Sequence, residues 1–120
     1  MLSTNAFVNV ENTSAKDSLT KSYSKMLESS KAYTLEIAEA MPEDKYTFKP
    51  ADSVRSFGEQ MAHLGMSSKF LLNMFIKCEP MPTDPEVLAN IGKTEKEIGA
   101  SKAECIKVIT EAFDSLISTY

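Results

Sequence analysis

Apolar residues recur every three or four positions along three stretches of the chain, and this spacing predicts three long helices. The first runs from Ser14 or Asp17 to Met41, with a stripe of Leu19, Tyr23, Met26, Leu27, Tyr33, Ile37 and Met41. Charged residues from Lys21 to Glu39 occupy its other sides. Pro42 ends it, because proline disfavours α geometry in the residue before it. The segment Pro42–Ser56 carries two prolines and several turn residues and reads as a loop, pinned to the bundle by Tyr46 and Phe48. The second helix starts at Ser56, where Ser56 and Glu59 have the spacing of a capping box. It runs to Lys77 or Cys78 and is apolar on most of its circumference, which places it centrally in a bundle. A second loop follows, with a short turn of helix from Asp84-Pro85 to Asn90 or Ile91 that Gly92 ends. The third long helix runs from Ser101 to Tyr120 with a stripe of Cys105, Ile106, Ile109, Ala112, Phe113, Leu116, Ile117 and Tyr120. Phe7–Val10 and Tyr46–Phe48 are the only strand candidates, and both are short.

The expected fold is therefore all-α: an up-down helical bundle with three long antiparallel helices near residues 17–41, 56–78 and 101–120. Leu27, Ile37, Leu64, Leu71, Ile109, Phe113 and Leu116 are its expected core. Residues 1–13 read as an N-terminal extension of a single domain spanning 1–120. The apolar stripe still runs when the sequence stops at Tyr120 without a cap. With a second helix apolar nearly all round, this points to a further element against the bundle, either a C-terminal helix missing here or another chain. A homodimer covering the open face is the expected partner arrangement.

Composition narrows the function. A net charge of −4 argues against nucleic-acid binding through phosphate neutralisation. No run approaches the ~18 apolar residues of a membrane span. The N-terminus has no basic region followed by a long apolar run, so a cytoplasmic location is expected, although a start placed after a removed signal peptide would look the same. Cys78 and Cys105 have no metal-binding spacing, and both fall at apolar helical positions, so two core thiols are expected in preference to a disulfide. Lys93–Lys96 is a mixed charge run that reads as solvated surface.

His63 is the one histidine. At 100° per residue, Glu59, Ser67, Phe70 and Met74 lie within about 40° of it, so it points partly inward. A neutral imidazole can bind a transition metal through one nitrogen while the other donates to an acceptor, and Glu59, one turn earlier, is a candidate for that acceptor or for a ligand. Competing readings are a hydrogen-bonded core histidine for His63 and the capping role for Glu59. No order of residues supports a serine nucleophile or a calcium loop.

The segment Glu39–Leu72 resembles the DinB-like (DinB/YfiT-like) family. The matching pieces are Met41-Pro42, then Tyr46, Phe48 and Pro50, then Ser56-Phe57-Gly58-Glu59, then His63. The resemblance implies a four-helix bundle with a divalent transition metal, Zn, Ni or Fe, held by one histidine of the second helix and two of the fourth. His63 matches the first of these ligands, and the other two have no counterpart. The implied function is a metal-dependent enzyme of small molecules, thiol-dependent transferase or hydrolase-like, whose metal site is incomplete here, with no metal expected on this chain alone. The alternative is a non-catalytic bundle serving as a structural or protein-interaction module.

Overall fold

The computed structural model describes residues 5–120, with side chains from Ser14 onward. Four helices follow one another: α1 (Asn5–Ala40), α2 (Phe57–Leu71), α3 (Pro85–Gly99) and α4 (Lys102–Ile117). A single 3-10 turn, Glu43–Lys45, follows α1, and a π-helical turn, Leu72–Ile76, extends α2. The described residues contain no strand; Phe7–Val10 is helix, and Tyr46 and Thr47 form a turn. α1 begins earlier than expected, so residues 5–13 of the anticipated extension belong to it, and its first four residues lie outside the described part.

The all-α bundle is as expected, but three long helices are one too few. The segment expected to give one turn of helix ending at Gly92 forms all of α3. Asp84 caps it, accepting from the Glu86 N–H at 2.9 Å, and Pro85 takes the first position. The helix then runs straight through Gly92. A Cβ there would meet nothing within 4 Å, so this glycine faces solvent and costs only its backbone entropy, about 1 kcal/mol. The packing of Glu95, Ile98 and Gly99 farther along outweighs that cost.

The extra helix changes the directions. Lys102 donates to the carbonyl oxygens of Glu39 and Met41, and Lys31 pairs with Asp114, so α1 and α4 are antiparallel. Gly58 lies beside Cys105 and Gly65 beside Ile109, so α2 and α4 run parallel, not antiparallel as three helices would require. The order is up-down-up-down. α4 is the central helix, with α1 on one side and α2 on the other, and α3 packs on α2.

Small residues define the α2–α4 contact. The buried stripe of α2 is Gly58, Ala62 and Gly65, and Leu72 at the start of the π turn continues it. A Cβ on Gly65 would stand 3.0 Å from Val108 Cγ1, so the glycine lets the two helices approach closely. Ile109 and Phe113 are buried as expected, and Leu27, Leu64 and Leu116 are half-buried. Ile37 and Leu71 are corrections: both are exposed, and Ala38 and Leu72, their immediate neighbours, are the buried residues. On α1 the bulkier Ile37 flanks the contact that Ala38 forms, whereas Leu71 and Leu72 are the same size and differ only in which side of the helix they take.

Cys105 is buried and Cys78 is exposed, and both are free thiols. Cys78 is no core residue because the helix stops at Lys77 and Cys78 turns left-handed, with φ 55°.

Candidate functional site: His63 between α2 and α3

The start of α2 is built from local signals. The Ser56 N–H donates to Glu59 Oε2 at 2.6 Å, and the Glu59 N–H donates to Ser56 Oγ at 3.1 Å, completing the expected capping box. The loop before it is held as expected by Tyr46, which is fully buried and donates its hydroxyl to the Ala38 carbonyl at 2.7 Å. Phe48, expected to help, is exposed. Burial pushes the Tyr46 phenol up to about 12, so it stays a donor at any physiological pH. The Tyr46 carbonyl accepts from the Gly58 N–H at 2.8 Å, and the Tyr46 ring meets Phe57 edge-on.

Gly58 also sets the α2–α3 contact. A Cβ on Gly58 would stand 1.8 Å from the Gly99 carbonyl oxygen, and one on Gly99 would stand 2.6 Å from the Glu59 nitrogen. Here two backbones touch. One turn along α2 from this contact is His63; one turn back along α3 is Glu95. Antiparallel helices crossing at the glycines therefore bring this pair together.

His63 Nδ1 lies 2.8 Å from Glu95 Oε2. Arg55, in the loop before the capping box, grips the same carboxylate from Nε to Oε1 and from a terminal nitrogen to Oε2 at 3.5 Å. The Glu95 side chain is nearly buried, while His63 keeps 45% of its side-chain surface exposed. The acceptor for His63 is thus Glu95 and not Glu59, whose carboxylate is spent on its cap and on Lys49 at 3.5 Å. Glu95 lay in the run expected to be solvated surface, which is a correction. Its one sequence signal is position: with α3 recognised as a helix, it falls a turn from Gly99.

Burial pushes the Glu95 carboxyl up, but hydrogen bonds from Arg55 and His63 outweigh it and leave the group below its ordinary value of 4.5. The Ser56 backbone N–H holds Glu59 low as well. A carboxyl lowered on folding stabilises the native state above its unfolded value, and that contribution is lost as pH falls through the folded value. The contribution of these carboxylates should therefore be lost as pH falls below about 4.5. Glu95→Gln should flatten the acid limb. An acid limb unchanged in Glu95→Gln, measured by urea unfolding across pH, would show that the cluster does not form.

Beside the cluster is an open polar depression of about 520 Å³ lined by Lys49, Asp52, Arg55, Glu59, Glu95 and Lys96. Its charges are mixed and largely paired with one another. No three His, Cys, Asp or Glu side chains converge as metal ligands among the described residues.

Residues 26–120 match the sequence model of the DinB superfamily. The chain belongs to this superfamily. Comparison with curated proteins and with solved structures gives no match. The helical fold agrees with the membership, and no helix among the described residues is long and apolar enough to cross a membrane.

Proposed function

We propose that this DinB-like domain acts as a helical binding module, and that His63 and Glu95 tie α2 to α3 instead of holding a resident metal. The donor set carries this reading. A catalytic zinc takes three protein ligands, whereas the site offers one imidazole and one carboxylate already gripped by Arg55. These residues do not fit a complete divalent metal centre.

One observation favours a second reading, in which the domain contributes to a metal-dependent enzyme of the thiol-dependent transferase or hydrolase-like kind. A carboxylate on Nδ1 is the usual orienting partner of a metal-bound histidine, and the His63 ring is nearly half exposed. Zn, Ni or Fe could then be held only with donors from another segment or chain.

Calorimetric titration with Zn²⁺ or Ni²⁺ separates the two. The expected result is weak binding without fixed stoichiometry, little altered in His63→Ala. A tight one-to-one site abolished by His63→Ala would overturn the binding-module reading.

A further inference from the structure

His63 is bonded at one ring nitrogen and open at the other. Nδ1 meets Glu95 Oε2 at 2.8 Å, whereas Nε2 has no hydrogen bond among the described residues and is not a buried atom. An ionised carboxylate only accepts, so the proton of the neutral ring sits on Nδ1 and the lone pair on Nε2. Arg55 holds the Glu95 carboxylate in place, and that side chain is 10% exposed where the His63 ring is 45% exposed. An electrophile that bonds to Nε2 makes the ring cationic, and Glu95 already stands against that charge.

The surroundings select the electrophile. Acyl transfer needs donors aimed at an oxyanion, and the N–H groups that open α2 are spent on Phe48, Tyr46 and Ser56. Phosphoryl transfer asks less of its acceptor: a positioned nucleophile, with the charge-stabilising groups free to arrive on the donor. The carboxylates nearby are mostly committed. Glu95 is held by Arg55 and Glu59 by its cap and Lys49, which leaves Asp52 against Lys96 in the neighbouring depression. Exposure of the ring on a helix face gives a donor of protein size access to Nε2.

We propose that His63 is a phosphoryl acceptor, taking the group on Nε2 from a partner protein that carries it on nitrogen. The Nε2 lone pair forms the new N–P bond as the N–P bond of the donor breaks. The electron pair of the broken bond leaves with the donor nitrogen. The Nδ1 proton stays on the ring, and Glu95 balances the phosphoimidazolium. One N–P bond replaces another, so no further co-reactant is needed. The proposal rests on the binding-module reading, since Nε2 must be free of metal, and deepens it by naming the chemistry of the partner.

Phosphorus NMR of the chain incubated with potassium phosphoramidate and EDTA tests this. With one histidine in the sequence, the signal has one source. The expected product is a single Nε2-phosphohistidine, labile in acid, stable in alkali and absent in His63→Ala. It should form at least about tenfold faster than in the same chain unfolded in urea, and Glu95→Gln of unchanged helicity should slow it by about as much. Phosphorylation at Nδ1, a rate no faster than in urea, or an undiminished rate in Glu95→Gln would each overturn the proposal. The urea comparison needs no variant, so it decides even where Glu95→Gln fails to fold. Zn²⁺ titration without EDTA keeps the two readings apart. A tight His63-dependent site would overturn the binding-module reading, whereas slow phosphorylation with no such site would overturn the acceptor alone.

Discussion

Gly58→Ala is expected to cost on the order of 3 kcal/mol, near the upper end for overpacking, and to lower Tm by about 10 °C. The added Cβ would lie 1.8 Å from the Gly99 carbonyl oxygen and 2.8 Å from its carbon. Neither atom is the tip of a flexible side chain, so the two helices must separate. Separation strains three other contacts at the same corner: the Gly58 N–H to Tyr46, the Cys105 thiol to the Gly58 carbonyl, and the His63–Glu95 pair one turn away. Gly92→Ala is the control within the same fold. Its Cβ enters open space in a helix interior, so it should stabilise by roughly 0.5–1 kcal/mol. Urea unfolding of both variants checks the pair. A loss below about 0.5 kcal/mol for Gly58→Ala, the size of an ordinary surface change, would mean that α2 and α3 do not cross here.

The second large effect separates two adjacent leucines. Leu72→Ala should cost about 2–5 kcal/mol and Leu71→Ala less than about 1 kcal/mol. Leu72 is 2% exposed and sits at the start of the π turn, whereas Leu71 is 48% exposed and lines an open apolar groove with Tyr23 and Phe75. The Lys77 N–H reaches back five residues to the Leu72 carbonyl at 3.1 Å, so the wider turn begins at the buried leucine. Equal losses in the two variants, by thermal or urea unfolding of monomeric protein, would place the α2 face wrongly.

The sequence by itself determined what lies within a turn or two of one helix. The all-α class, the stop at Met41-Pro42, the Ser56–Glu59 box, the Asp84-Pro85 start and Tyr46 as an anchor are all written in adjacent residues. So is the superfamily, through the order of those signals and His63. The tertiary structure alone decided whether α3 ends at Gly92, which side of α2 is its face, and what His63 touches. Gly92 has the same local signal whether or not Glu95 and Gly99 find a surface to pack on. Bulk drew the expected face to Ile37 and not to Ala38, because hydrophobic periodicity gives no weight to glycine and alanine, although those residues mark where backbones meet; Leu71 and Leu72 are equally apolar, and only packing chooses between them. The Glu95–His63 bond needs two glycines on different helices to touch, and a contact between distant segments leaves no period in either one.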